Sequence, residues 1–457
     1  MSQPGTENRP NVVLIMADDL GYGGVSHYGA THVRTPNIDR IAQEGITFTD
    51  GNAPCSICTP SRYGLMTGQY AWRNPQVALR TGPEPLLLPE DHETLAQLFK
   101  KNGYATGCVG KWHLGFGEDP VDWHTSLTPG PLERGFDSFF GFPINLNNHP
   151  IVYIENQQYY NYDPSDPLSA DYRSGAESSQ IDFDTVSDIL AEKAVTFIEQ
   201  NKDNPFFLYF PTHQIHFPVH AAPRFDDTSD AGPYGDYIHD CDWTVGQILD
   251  TLDRLNLTEN TLVFFTSDNG SYGNGQPIGK FRGADKAVGE DGEFGMRRNA
   301  PWKGYKWGHS QGGYRVPFVA RWPGQIIPGT ESDALVSLID FYATFCELFA
   351  EQADSKAIDS VSFLSHLLPD KPTQARKNMI YHSGEDIFGI REQKWLLIFG
   401  GVQRWQIGWG IRGTVLHQLY NVATDPGETI NVYDEHPDVV ERLNEVLATE
   451  TARTKRL

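Results

Sequence analysis

Four short stretches of the chain carry the residues best suited to chemistry, and each follows or closes an apolar run. Asp18-Asp19 follows NVVLIMA, Lys111 and His113 sit in GKWHLG, His213 and His216 in PTHQIHFPVH, and Asp268-Asn269 follows TLVFFT and Ser267. Asp18, Asp19, Asp268 and Asn269 together supply three carboxylates and one amide oxygen, hard donors suited to Ca²⁺ or Mg²⁺ rather than zinc. Singly, Asp-Asp and Ser-Asp-Asn-Gly are also ordinary turn sequences; two such pairs at two strand ends favour a metal site. Lys111 and His113 alternate, so on an extended segment both side chains point to one side. Cys55 and Cys58 form a CxxC, the spacing of a redox pair or of half a zinc site. No second CxxC and no Cys/His pair at zinc spacing accompanies it, so the zinc reading is weak. Asn256-Leu-Thr and Asn269-Gly-Ser match the glycosylation sequon, but a buried metal ligand could not carry a glycan.

One fold class brings such stretches together. Short apolar runs alternate with helical patterns, the signature of an α/β fold with a large, mostly parallel sheet sandwiched by helices. Ligands in such folds bind outside the C-terminal ends of the strands, where all four stretches stand. Residues 11–17 read as a buried strand. A helix at 36–44, with Ile38 and Ile41 on one face and Gly45 as its C-cap, leads into a strand at 46–50. A second helix at 94–101 stops at Gly103 before the strand YATGCV. A helix around 183–200, a strand at 206–210, an amphipathic helix at 236–255 and a strand at 261–266 continue the pattern. Two Gly-rich stretches interrupt it: 119–182, a long insertion that shapes a cleft, and 271–315, which carries Arg297, Arg298, Lys303, Lys306 and Arg315. A polar, proline-marked segment near 370 separates a catalytic domain over 9–372 from a C-terminal α+β subdomain over 373–457. There MIYHS, KWLLIFG and VLHQLYNV predict a small antiparallel sheet, closed by a helix at 436–450.

Bulk properties narrow the partners. The 457 residues suffice for one large domain with an appendage. A formal net charge of −23 repels nucleic acid and anionic membranes, so an anionic substrate would require a local basic pocket. Five cysteines do not make a disulfide scaffold. The first ten residues lack the charged and apolar regions of a signal peptide, and no apolar run is long enough to span a bilayer. The expectation is a cytoplasmic protein, or a periplasmic or secreted one whose leader has been trimmed.

The segment 55–68, CSICTPSRYGLMTG, is the most specific in the chain. Cys58-Thr59-Pro60-Ser61-Arg62, followed by Leu65-Met66-Thr67-Gly68, resembles the signature of the type I, formylglycine-dependent sulfatases, C-x-P-S-R then x₃-[LM]-T-G, at every defined position. ADDLGYGG, TPNIDRIAQEGITFT, GYATGCVGKWHLG, SDNG, GYKWG…GGYRVP and LYNVATDPGET extend the resemblance, in family order, over nearly the whole chain. The resemblance implies an alkaline-phosphatase-like fold, and hydrolysis of sulfate esters by a formylglycine that a separate maturation enzyme makes from Cys58. Its hydrated aldehyde would attack sulfur and later release sulfate by collapse of the hemiacetal. Asp18, Asp19, Cys58, Asp268 and Asn269 would form the metal site, with Ca²⁺ (or Mg²⁺) as cofactor. Arg62, one helical turn on if a helix starts near Pro60, would hold the diol and the carboxylates. By the same resemblance Lys111 and Lys306 bind sulfate oxygens, His113 is the base for elimination, and His216, two residues before Pro218, is the general acid for the leaving alcohol. His213 and His220 are expected as solvated loop residues and Cys55 as structural. Lys303 and Gln311 depart from the family, which more often has Arg and Glu there.

The wording PGPLERGFDSFFGFP and the aromatic-rich 145–163 segment resemble arylsulfatases and N-acetylgalactosamine-6-sulfatases, which implies a sulfated carbohydrate or aryl sulfate substrate, galactose- or galactosamine-type sugars preferred. Asn145 and Arg298 are further substrate-binding candidates, and aromatic residues in the insertion and near 402–413 could stack on sugar rings. Two other readings stand beside this one: a phosphonate or phosphate ester hydrolase of the same fold, and a protein with unmatured Cys58 that binds sulfated glycan without cleaving it.

Overall fold

The structure, a computed structural model, describes residues 9–77, 84–119, 121, 126–148, 150–161, 181–272, 296–368, 376–384, 386–402 and 414–454. Most of the polar segment at the expected domain boundary, the aromatic residues at 403–413 and much of the two Gly-rich stretches lie outside the described residues. One sheet organises the rest. Its strands in chain order are β1 (Asn11–Ala17), β2 (Ile46–Phe48), β3 (Ala105–Lys111), β4 (Ser138–Phe142), β5 (Ile154–Glu155), β6 (Gln158–Tyr159), β7 (Phe206–Pro211), β8 (Thr261–Ser267), β9 (Phe318–Arg321) and β10 (Thr330–Ser332). Across the sheet the order is β10-β2-β9-β8-β1-β7-β3-β4-β5-β6. The five central strands, β8 to β4, are all parallel. Antiparallel pairs appear at both margins, β9 on β8 and β2, and β5 on β4 and β6.

Why the centre is parallel follows from its composition. β1, β7 and β8 are buried along their whole lengths, as strands covered by helices on both faces must be. Alternate residues of β1 serve opposite cores: Val12, Leu14 and Met16 join one cluster, Val13, Ile15 and Ala17 the other. The first cluster packs against α2 (Cys58–Thr67), α3 (Leu95–Lys101) and α6 (Phe341–Leu348); the second packs against α1 (Pro36–Gln43), α4 (Val186–Asn201) and α5 (Gly232–Arg254). Each fully buried Leu, Ile, Val or Phe contributes roughly 1.5–3 kcal/mol relative to exposure, which fixes the register of the sheet. Ala17 pairs with Ser267, so Asp18 and Asp268 emerge side by side.

The C-terminal region forms its own antiparallel sheet of β11 (Asn378–His382), β12 (Phe388–Glu392), β13 (Trp395–Ile398) and β14 (Gln418–Asn421), with helix α7 (Pro437–Thr454) on one side. Ile380, Ile390, Leu397 and Leu419 share a core with Leu443 of α7 and with Tyr70 and Ile339 of the large domain. On the other face Tyr381 stacks on Tyr314 with ring centroids 3.9 Å apart. Among the described residues no helix is long and apolar enough to cross a membrane.

Two helix stops show how local sequence and tertiary contact divide the work. Helix α3 begins on a capping box between Thr94 and Gln97 and ends before Gly103, whose φ of 82° is left-handed and whose N–H reaches the Lys100 carbonyl. Gly45 is different. The C-cap of α1 is Glu44, and Gly45 is not left-handed; a Cβ there would lie 1.9 Å from the Ala320 carbonyl oxygen of β9. The expected capping role is therefore corrected: glycine stands at 45 because another strand passes against it. Gly45→Ala is expected to cost about 2 kcal/mol or more, through backbone displacement, and Gly103→Ala about 1 kcal/mol, through the left-handed φ. Urea midpoints of the two variants check this, and equal losses would contradict the close-approach account.

Candidate active site

Helix α2 places residue 58. Ile57 is the extended N-cap, Cys58 the first helical residue and Pro60 lies in the first turn, where a missing N–H costs nothing. The unpaired N–H groups and positive dipole end of this ten-residue helix favour negative charge beside residue 58. One turn later Arg62 reaches across to β8 and β3. Its Nε and Nη2 donate to Asp268 Oδ2 at 3.0 and 2.7 Å, and its Nη1 donates to the Lys111 carbonyl at 2.9 Å. The helix expected near Pro60 exists, and Arg62 holds a metal-ligand candidate in place.

The strand ends converge as their register requires. Three carboxylates face three cations, one to one: Lys111 Nζ lies 2.6 Å from Asp18 Oδ2, Lys306 Nζ 2.6 Å from Asp19 Oδ1, and Arg62 Nη2 2.7 Å from Asp268 Oδ2. All six side chains are buried. Cys58 Sγ is 3.2 Å from Lys306 Nζ, 3.7 Å from Asp18 Oδ1 and 3.8 Å from Asp19 Oδ1. Asn269 donates its Nδ2 to Asp19 Oδ1 at 2.7 Å, while its own Oδ1 is buried without a hydrogen-bond partner. A buried carbonyl oxygen in that state costs about 1–3 kcal/mol. The orphan oxygen and the three adjacent carboxylates fit a hard divalent cation. Ligand atoms of Asp18, Asp19, Cys58 and His216 also lie within 4.8 Å of one another. Of these four, His216 also has partners outside the group: its Nδ1 donates to the Phe217 carbonyl at 2.7 Å and its Nε2 lies 3.2 Å from the Tyr272 hydroxyl as well as 3.6 Å from Asp19 Oδ2.

Burial and charge set the protonation states. Burial, with Asp268 next, pushes the Cys58 thiol well up from its usual range. Burial works to lower the Lys306 ammonium, but Asp19 overrides it and holds it well above the lysine range. Burial and then the Lys306 charge hold His216 well below the usual imidazole value, so it is neutral here. With Nδ1 donating to a carbonyl, the neutral ring carries its lone pair on Nε2.

The other expected residues fall at or near this edge in different ways. His113 is buried two residues beyond Lys111, yet its φ of 56° takes it out of the extended conformation. Alternation along a strand therefore does not account for where it points, and that argument is corrected. Asn145 stands three residues past β4, its amide oxygen buried without a hydrogen-bond partner. Arg298 is buried with its guanidinium 4.2 Å from the Tyr234 ring centroid, and Tyr234 in turn bonds Ser271. His213 is not solvated: it is buried against Phe142 and Tyr237, and burial brings its pKa down to about 3. His220 is half-buried and pairs with Asp184 at 2.6 Å. Cys55 is structural, donating to the His382 carbonyl at 2.8 Å, and burial raises its pKa to about 12. Asn269 is fully buried and closed to glycosylation. Sequence reasoning missed Tyr272, whose hydroxyl lies 3.1 Å from Lys306 Nζ; its only signal was its place three residues past Asn269.

The comparisons with known proteins bear on this geometry. The sulfatase family model matches residues 10–351, and the model described as N-sulphoglucosamine sulphohydrolase, C-terminal, matches residues 305–453. The chain is 34% identical to an N-acetylgalactosamine-6-O-sulfatase of Bacteroides thetaiotaomicron, over 98% of this chain and 94% of that protein. A solved sulfatase structure from work on glycosaminoglycan metabolism by the same organism superposes with a TM-score of 0.88 at 32% identity, covering 98% of this chain and 100% of the other. The phosphonate monoester hydrolase of Agrobacterium radiobacter shares the fold, with a TM-score of 0.64 at 20% identity over 98% and 96% of the two chains. With the family model spanning both the Cys58 helix and every strand end that surrounds it, the chain belongs to the sulfatase family, whose members are sulfuric ester hydrolases.

Proposed function

We propose that this chain hydrolyses sulfate monoesters on a carbohydrate, with residue 58 as a formylglycine nucleophile. The observation that carries the reading is the position of Cys58. It opens helix α2, touches Lys306 and lies close to the carboxylates of Asp18 and Asp19, in a pocket too dry for an exposed redox thiol. Asp18, Asp19, Asp268 and Asn269, with an oxygen of residue 58, would hold Ca²⁺ or Mg²⁺, which when bound acidifies and polarises that oxygen. Maturation of Cys58 to the aldehyde, by a separate enzyme, would give a gem-diol on hydration. One hydroxyl oxygen, its proton passing to a neighbouring carboxylate of Asp18, Asp19 or Asp268, would attack sulfur in line as the sugar oxygen leaves. Lys111, Lys306 and the α2 N-terminus stabilise the charge on the sulfuryl oxygens. His113 takes the proton of the second hydroxyl; the bond from carbon to the sulfated oxygen breaks, sulfate departs and the aldehyde returns.

His216 and Lys306 serve the leaving oxygen. The Lys306 charge, after burial, helps to keep His216 neutral, and an anionic sulfate bound beside them would offset that repulsion, so binding favours the protonated imidazole required of a general acid. A sulfated carbohydrate, with galactosamine-type sugars preferred, is supported by the full-length similarity to an N-acetylgalactosamine-6-O-sulfatase. Asn145 and Arg298 are proposed to contact the sugar or a second anion from the margin of the pocket.

In protein from its native host, the peptide containing position 58 is expected to weigh less than its cysteine form by mass spectrometry, and Cys58→Ala to lower turnover of a galactosamine 6-sulfate saccharide by roughly 10³-fold or more. Faster turnover of a phosphonate monoester than of any sulfate ester would instead favour the phosphonate hydrolase reading. Unmodified Cys58 with tight glycan binding would favour the glycan-binding one.

Chelation by EDTA is expected to abolish turnover, and Ca²⁺ to restore both turnover and melting temperature. At 100 times its Kd the ion would stabilise the fold by about 2.7 kcal/mol. A melting curve indifferent to EDTA and Ca²⁺, in wild type and Asn269→Ala alike, would remove the metal from the proposal.

A further inference from the structure

Tyr272 belongs to none of the matched motif residues, yet it touches both groups assigned to the leaving oxygen. Its hydroxyl lies 3.1 Å from Lys306 Nζ and 3.2 Å from His216 Nε2, and its ring centroid is 4.7 Å from the same ammonium. The direction of these bonds follows from what each group can do. An ammonium only donates, so Lys306 gives a hydrogen to the tyrosine oxygen. A backbone carbonyl only accepts, so His216 Nδ1 gives its hydrogen to Phe217 O, and in the neutral, substrate-free ring Nε2 accepts from the tyrosine O–H, a place that the acid proton takes once substrate is bound. The Tyr272 hydroxyl thus bridges an ammonium and an imidazole that both also lie near Asp19, Lys306 donating to its carboxylate at 2.6 and 2.8 Å and His216 Nε2 standing 3.6 Å from it.

The same two residues mark the border of the dry cluster. His216 and Lys306 are buried, whereas Phe217 and Tyr272 are half-buried. Their rings lie 5.2 Å apart between centroids, and Phe217 stacks on His216 at 4.6 Å. Two partly exposed aromatic faces beside a cationic, anion-binding pocket match what a sugar ring needs, an apolar C–H face next to polar hydroxyls.

We propose that Tyr272 is a positioning residue for the leaving group: its hydroxyl fixes Lys306 and His216 relative to each other, and its ring with that of Phe217 forms the wall against which the sulfated sugar packs. The inference rests on the sulfate-ester reading above and adds the residues that register the sugar against the proton donors. The chemistry separates this role from a merely structural one. A sugar alkoxide needs a proton as it leaves and a nitrophenolate does not, so disordering the donors harms the first more than the second.

The test compares wild type, Tyr272→Phe and Phe217→Leu on a galactosamine 6-sulfate saccharide and on 4-nitrophenyl sulfate. Tyr272→Phe is expected to lower kcat on the saccharide about tenfold and on the aryl sulfate less than about twofold, with KM nearly unchanged. Phe217→Leu is expected to raise KM for the saccharide about fivefold at constant kcat. Equal kcat losses on both substrates, or none on the saccharide, would overturn the role of the hydroxyl. An unchanged KM in Phe217→Leu would overturn the wall, and it is read from a variant whose folding does not depend on Tyr272→Phe. Wild type that turns over neither substrate would overturn the sulfate-ester reading itself, and this inference with it, an outcome visible before any variant is measured.

Discussion

Three buried carboxylates at neighbouring strand ends are the constraint on which the rest of the molecule turns. Parallel pairing of β1 with β8 brings Asp18 and Asp268 together, and Asp19 follows in a left-handed conformation with φ of 67°. Left alone in a dry pocket, such charges would shift to their protonated forms or disrupt the fold. Each is instead matched by one cation carried from a different part of the chain: Arg62 on α2, Lys111 at the end of β3 and Lys306 on a loop. Removing one member of a buried pair typically costs about 3–5 kcal/mol, because the survivor is left uncompensated. The electrostatics that allow the site to exist therefore also recruit the residues that contact residue 58.

A chain carrying 59 acidic and 36 basic residues repels anions at long range. Locally the balance differs. The six paired side chains cancel, the N-terminus of α2 adds positive potential, and a divalent cation there would make the pocket strongly cationic within a low-dielectric wall. Attraction then acts only over the short distance at which a substrate has already shed water.

Much of this was legible in the sequence, for identifiable reasons. Strand ends were visible because buried parallel strands are continuous apolar runs, and Asp18, Lys111 and Asp268 are the first charged residues at their ends. Gly103 was legible because a helix stop depends on local backbone conformation. Cys58 and Arg62 were legible because their spacing is specific. What escaped depends on contacts between distant segments. Gly45 answers to Ala320, a relation no local pattern encodes. His213 is covered by Phe142 and Tyr237, which arrive from another strand and another helix. His113 leaves the extended region two residues after β3 ends. Tyr272 reads as loop, and only the fold shows that its hydroxyl meets Lys306 and His216.

The C-terminal sheet is part of the same machine rather than an appendage to it. The Lys306 loop is bonded on one side to the large domain, through Ser271 O to Lys306 N at 2.9 Å and Ser56 O to Trp307 N at 2.9 Å. On the other side it is gripped by Glu428, which is buried and accepts from Gln311 N at 2.8 Å while its own carbonyl accepts from Lys303 Nζ at 2.8 Å. Nearby, Gly384 packs against the Trp307 ring and donates to Ser56 Oγ, and the Cys55 thiol is tied to His382. The Cys58 segment and the lysine that touches it are thus each tethered to the second sheet. Since a lysine side chain has several rotatable bonds, its ammonium is placed only as well as its backbone is. The small sheet shares in that placement with Ser56 and Ser271, its turn residues, far from Cys58 in sequence, carrying the buried Glu428 carboxylate against the Lys306 loop.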